Sequence, residues 1–278
     1  MDAKKPLWIA PRLRCGLGNR LFQTFAAIGL AEKTGSRAIF LLPRMSHHEH
    51  GNFELIRDLC PTVTLLESAQ EWEEVSETDI KTVPKITTEG PIVLSGFFQN
   101  SENFPSLHNF NNPRLPSPAP KRRENTWAIH FRLGDYCILP HHQVPKLAQY
   151  YLQTIKERIP KGSTLVLISD SPQKLPPIAQ ELREMGYTTE VFTNEDALET
   201  FRVFAECQGG SICSNSTFAW WGAFFGYIYS KKHGEYNSYF PDTWLTNQPT
   251  PNILNLHFTH AIKLSELPAF PYLQSFSY

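Results

Sequence analysis

The sequence predicts an α/β protein with two domains, each a parallel sheet flanked by helices. Three observations predict it. Residues 7–42 read as strand, glycine turn, helix and strand, which is one βαβ unit. From Thr126 onward, strand-like apolar runs alternate with segments of helical period, a pattern that builds parallel sheets with helices on both faces. Between the halves lie Pro105, Pro113, Pro116, Pro118 and Pro120, and such stretches continue neither helices nor central strands. The boundary is therefore placed at residue 120, giving domains 1–120 and 121–278.

In the first half, Leu7–Ala10 is a short apolar strand feeding Cys15-Gly-Leu-Gly-Asn-Arg-Leu-Phe-Gln23. From Leu21 the apolar residues Leu21, Phe25 and Ile28 recur at helical spacing as far as Lys33, and Gly35 is a stop signal. Arg37–Leu42 is a second strand ended by Pro43. Phe53–Cys60 is a short helix. Residues 61–90 are expected to hold one short strand and one short helix, and Pro91–Phe98 is another strand.

In the second half, Thr126–Phe131, Thr164–Ser169, Tyr187–Phe192 and Gly210–Ser214 are strands. The helices between and after them are Leu147–Ile159, Leu175–Met185, Asp196–Cys207 and Thr217–Ser230. Pro176 and Pro177 suit the first turn of their helix, where the missing N–H has no partner to lose. Ile253–Leu256 reads as a last strand. Two such halves make Rossmann-like domains with a cleft between them.

Composition narrows the partners. The net charge is -1, so nothing electrostatic favours nucleic acid or an anionic membrane. Any anionic ligand must be held by local charge. The five cysteines include no Cys-x-x-Cys pair, which points to reduced thiols and a cytoplasmic protein rather than to a disulfide framework or structural zinc. The N-terminal apolar run is too short for a signal core, and Ala219–Tyr229 is too short to span a membrane. His47, His48, Glu49 and His50 cluster, but no helical spacing places them on one face, so a solvated loop is expected. Lys121, Arg122 and Arg123 read as the solvated end of the linker.

Three loops after strands carry chemistry. In the first, Gly16 and Gly18 let the backbone approach a ligand, while Asn19 either caps the helix or bonds a sugar or phosphate. The spacing is not G-x-G-x-x-G, so a dinucleotide fingerprint is not met. The second loop is His130, Arg132, Gly134, Asp135 and Tyr136, just past the strand Thr126–Phe131. A guanidinium fork suits a phosphate there. An ordinary Arg132–Asp135 ion pair explains the same residues equally well. The third loop is Ser214-Asn-Ser-Thr217, more small polar residues than one cap needs; Trp220 and Trp221 behind it are core candidates. No serine-hydrolase elbow or phosphate-loop motif is present. No Asp-x-Asp pair follows a strand, so a departing diphosphate would rely on arginine, hydroxyls and helix N-termini.

With these loops in place, the chain resembles the bacterial-type α-1,2-fucosyltransferases, a GDP-fucose-dependent family of GT-B fold. The motifs are Gly16-Leu-Gly-Asn-Arg-Leu-Phe-Gln23, His130-Phe-Arg-Leu-Gly-Asp-Tyr136, Ser169–Asp170 and Asn215-Ser-Thr-Phe-Ala-Trp-Trp-Gly-Ala223, in the family's order across most of the chain. The resemblance implies that Arg132 meets the β-phosphate and that His130 and Asp170 lie at the nucleotide. It implies that Ser214, Ser216 and Thr217 bind phosphate, that Asn215 belongs with them to the donor site, and that Asn19 lies near the sugar with Gly16 and Gly18 at the same site. Asp135 is either the candidate general base or a group that holds the loop by accepting backbone N–H bonds, and His141 is a weaker base candidate. The first domain would then serve a glycan acceptor and the second the nucleotide-sugar donor, with no metal. Three positions depart from the family: Leu133 replaces a second arginine, Arg20 replaces glutamine, and Glu199-Thr200 stands where an aspartate near guanine is usual, a donor-binding role Glu199 is expected to take over. A transferase of another nucleotide sugar, or a non-catalytic carbohydrate-binding relative, remains the alternative.

Overall fold

The computed structural model describes residues 8–41, 53–61, 63–66, 72–80, 92–105, 115–116, 118–230 and 235–267. The cluster His47–His50 lies outside them. The chain falls into two compact units, Met1–Pro116 and Ser117–Tyr278.

The first unit contains β1 (Trp8–Pro11), α1 (Leu17–Thr34), β2 (Arg37–Leu41), α2 (Phe53–Leu59), β3 (Thr64–Leu66), β4 (Glu73–Ser76) and β5 (Ile92–Ser95). Its strands form one parallel sheet in the order β3-β2-β1-β5-β4. Strand alternation sorts the core onto both faces. Ile9, Ile92 and Leu94 pack with Ala26, Ala27 and Leu30 of α1, whereas Ala10 and Val93 pack with Ile39 and Trp72 on the other face.

Two expectations are corrected here. Helix α1 begins at Leu17, not Leu21, because Gly16 already takes the N-cap conformation (φ -68°, ψ 166°). Gly18 and Asn19 therefore lie inside the helix instead of in a loop. Residues 61–90 hold two strands among their described positions, since Glu73–Ser76 pairs with β5. At the far end of α1, Gly35 has φ +65° and its N–H and that of Ser36 close the last turn, the role a glycine fills without a Cβ penalty.

The second unit contains β6 (Thr126–Phe131), α3 (Leu147–Arg158), β7 (Thr164–Ser169), α4 (Leu175–Glu184), β8 (Thr188–Val191) and α5 (Ala197–Glu206). It continues through β9 (Gly210–Ile212), α6 (Thr217–Tyr229), β10 (Asn237–Pro241) and β11 (Thr259–Ile262). All six strands are parallel, in the order β11-β10-β9-β6-β7-β8. Counted from β6 this is the doubly wound order 3-2-1-4-5-6, which reverses between β6 and β9. Phe131 and Ile129 face α3 and α4, with the Phe131 and Tyr151 rings 4.4 Å apart. His130 faces the other way, toward Phe204 of α5 and Phe218 of α6. Ile253–Leu256 is not a strand. Asn252–Asn255 is a 3-10 turn, with Ile253 and Leu254 buried, and the edge strand follows at Thr259. Among the described residues no helix is long and apolar enough to cross a membrane.

Candidate active site

In open parallel sheets, ligands bind beyond the carboxyl ends of the strands where the strand order reverses. In the second unit that point is flanked by the chain leaving β6 at Arg132 and the chain leaving β9 at Cys213. The two loops that sequence reasoning singled out are thus brought side by side, although some eighty residues separate them in the chain. Ser214 N–H donates to the His130 carbonyl at 3.2 Å, and His130 Nδ1 lies 3.0 Å from Ser214 Oγ.

Burial governs the chemistry of His130. The ring is 3% exposed, and loss of hydration lowers its pKa to about 4; Asp170 pulls the other way and Arg132 adds to the lowering. The imidazole is therefore neutral at pH 7. Its Nδ1 orients the Ser214 hydroxyl, and the Tyr151 hydroxyl donates to its carbonyl at 2.6 Å. His130 reaches any ligand through the serine loop.

Arg132 sits in a carboxylate frame. Its Nε and Nη2 lie 3.0 and 2.9 Å from Asp135 Oδ1, and Nε lies 3.2 Å from Asp170 Oδ2. The guanidinium stacks on the Tyr136 ring with its carbon 5.1 Å from the centroid. Asp170 also accepts the backbone N–H groups of Leu133 (2.8 Å) and Gly134 (3.1 Å), so it fixes the turn that carries Arg132. This close seat explains Gly134, because a Cβ there would overlap Asp170 Oδ2. Asp135 holds the turn by pairing with Arg132; its carboxylate accepts from the guanidinium, not from backbone N–H groups. The ion-pair explanation of these residues is therefore realised, with Asp170 as a second carboxylate.

The third loop supplies a polar wall. Asn215 is 1% exposed. Its Nδ2 donates to the carbonyls of Trp244 (2.7 Å) and His142 (3.3 Å), which fixes the amide orientation. Its Oδ1 is buried with no hydrogen-bond partner. Ser216 occupies the N-cap position of α6, yet its hydroxyl makes no capping bond. The expectation that this cluster caps the helix is thus not met by Ser216. Trp220 and Trp221 are fully buried core residues, and Trp220 Nε1 donates to Ile253.

Arg132, Tyr136, His142, Val144 and Asn215 line a pocket of about 330 Å³, together with Cys137, Gln143, Pro145 and Leu147. His142 was missed in the sequence, where His141 drew attention. The 3-10 turn Pro140–His142 presents His142 to the pocket, with its ring 4.2 Å from Tyr136. Burial chiefly lowers its pKa, so it too is neutral at pH 7, and its Nδ1 is buried without a partner. The only signal in the sequence was its closeness to the Arg132 motif. Glu199 is not part of this lining. It lies on α5 with its carboxylate 3.1 Å from Arg202 Nε, and its N–H is capped by Asp196.

The remaining sequence candidates lie in the first unit. Asn19 is not the cap of α1; its Oδ1 accepts from Gln99 at 3.0 Å. Gly16 occupies the cap position. Among the described residues, no three His, Cys, Asp or Glu side chains gather into a metal-binding group.

No protein-family model matches the chain, and no curated protein matches it. Among solved structures it is similar to fucosyltransferase NodZ from Bradyrhizobium, at 13% identity and a TM-score of 0.47, over 78% of this chain and 93% of that one. It is similar to the NodZ alpha-1,6-fucosyltransferase soaked with GDP-fucose at 14% identity and 0.47, over 81% and 93%. POFUT1 in complex with GDP is similar at 10% identity and 0.49, over 85% and 98%. Likeness of this order is too weak to carry a function, which must come from the chain's own residues.

Proposed function

We propose that this protein is a glycosyltransferase that moves a sugar from a nucleoside diphosphate to a hydroxyl of a glycan acceptor, with GDP-fucose as donor. The observation that carries the reading is the meeting of Arg132 with Asn215 of the Ser214–Thr217 loop in the lining of one pocket at the switch point of the sheet. The motif set supports fucose, and the α-1,2 family within it.

The acceptor oxygen attacks the anomeric carbon from the face opposite the diphosphate, the carbon–oxygen bond to the diphosphate breaks, and the configuration inverts. The acceptor proton passes to a base. Asp135 is the proposed base, through Oδ2, since Oδ1 is committed to Arg132. The negative charge growing on the leaving diphosphate is met by the Arg132 guanidinium and by the hydroxyls of Ser216 and Thr217, with no metal required. His130 sets the Ser214 hydroxyl, and Asp170 sets the Arg132 turn. Each well-placed donor of this kind contributes roughly 3–4 kcal/mol to the transition state. Asn19 belongs to the proposal through the motif resemblance, as a group near the sugar.

Glu199 favours a second reading. Its carboxylate is engaged by Arg202 and leaves guanine without an evident acidic partner, so a donor with another base is the rival. Thermal-shift titration separates them: GDP must stabilise the protein more than UDP or dTDP does. Transfer assays on Arg132→Ala test the site itself. A loss of at least about a hundredfold in rate is expected; near-full activity would remove Arg132 from the mechanism.

A further inference from the structure

Among the described residues, the first unit contains an arginine with no carboxylate partner. Arg20 lies in the first turn of α1 and is 3% exposed. Its Nε donates to the Cys15 carbonyl at 2.9 Å, which places the guanidinium at the turn between β1 and α1. Its Nη2 is buried with no partner, and among the described residues no carboxylate faces it. Burial lowers its pKa. A buried guanidinium that lacks an anion is costly, by several kcal/mol when such a charge is left uncompensated. A fold that retains one commonly uses it.

Three further features converge on this turn. Arg14 leaves β1 at the same point, and its Nε is also buried without a partner. Its Nη2 donates to Ser95 at the end of β5 and lies 3.8 Å from Glu74, which is shared with Arg12. Two further carboxylates follow β4: Glu77 accepts from Phe97 N–H at 2.9 Å, and Asp79 accepts from the Ser76 hydroxyl. The strand order β3-β2-β1-β5-β4 reverses between β1 and β5, so these groups stand where an open sheet receives a ligand. Helix α1 adds the positive end of its dipole, with no acidic residue in its first turn and no side-chain cap at Gly16.

We infer that the β1–α1 turn of the first unit is an oxyanion site, in which Arg20 Nη2 and Arg14 Nε bind a phosphate or carboxylate carried by a small-molecule substrate. Arginine forks match both groups through parallel N–H donors. The inference does not rest on the transferase reading, because every residue in it belongs to the first unit.

Calorimetric titration with pyrophosphate at constant ionic strength tests it, in an Arg132→Ala background that removes the second-unit arginine. Binding is expected there, and Arg20→Gln added to that background should weaken it at least about tenfold. Arg20→Lys keeps the charge without the fork and should fall between. Without anion, Arg20→Gln should melt no lower than its parent, since it removes an unpaired buried charge. GDP and glucuronate run in parallel identify the source: protection by GDP alone assigns a nucleotide phosphate, and protection by glucuronate assigns an acidic acceptor. Three outcomes overturn the inference: no pyrophosphate binding in the Arg132→Ala background, binding unchanged by Arg20→Gln and Arg20→Lys, or a marked fall in melting temperature for Arg20→Gln without anion, which would make Arg20 a structural residue.

Discussion

Acidification should destabilise the second unit through His130, by an amount that can be worked out. The ring has an ordinary pKa of 6.5 when unfolded and about 4 when folded. Between those values the unfolded chain binds the proton and the folded chain does not, so stability falls as pH falls. Each pKa unit corresponds to 1.36 kcal/mol, so the difference amounts to about 3 kcal/mol lost between pH 7 and pH 4. The stabilisation is complete above the unfolded value and is gone below the folded one. The physical cause is that a charged imidazole has no water behind Phe204 and Phe218, and the nearby Arg132 repels it. Asparagine at this position keeps a polar atom toward Ser214 and cannot titrate. Urea unfolding of wild type and His130→Asn, followed by tryptophan fluorescence at several pH values, isolates this group. Trp127, Trp220, Trp221 and Trp244 all lie in the second unit, so its transition dominates the signal. The gap between the two proteins should close by about 3 kcal/mol as pH falls from 7 to 4. Parallel curves would refute the argument that His130 is buried neutral.

Other perturbations follow from the same packing. Gly134→Ala should displace Asp170 from the Arg132 turn, costing about 1–3 kcal/mol of stability and most of the transfer rate, measured by unfolding and by kinetics on the same preparation. Asn215→Asp keeps the shape but sets a carboxylate oxygen against the carbonyls of Trp244 and His142; a loss of about 2–3 kcal/mol in urea unfolding is expected. Gly226→Ala lies far from the pocket on α6, where a Cβ would overlap the Tyr236 hydroxyl, so it should lower the melting temperature strongly while any folded fraction keeps the proposed nucleotide affinity.

The strands and helices of the second unit could be read from the chain because burial imprints a period. Thr126–Phe131 and Thr164–Ser169 are buried runs, and their bounds in the structure match the sequence reading. Shorter pieces gave no period to read. Ile253 and Leu254 are buried in a 3-10 turn, and two apolar neighbours look the same in a turn as in a strand. The start of α1 was obscured because glycine at the N-cap and within the first turn gives no apolar repeat.

Periodicity records which residues lose water, and says nothing about which distant residues meet. That limit separates what was legible in the motifs from what was not. Chain order already delivered Arg132 and the Ser214–Thr217 loop to strand ends. The sheet order then seated β9 beside β6, and this alone joined those loops. The packing of α5 and α6 made His130 a buried neutral ring, and Asp170 reached across from β7 to hold the Arg132 turn. Arg20 showed in the sequence only as a departure from the family's glutamine; its burial without a carboxylate partner among the described residues is a fact of three dimensions, because solvation and Coulomb energy depend on distance in space and not along the chain.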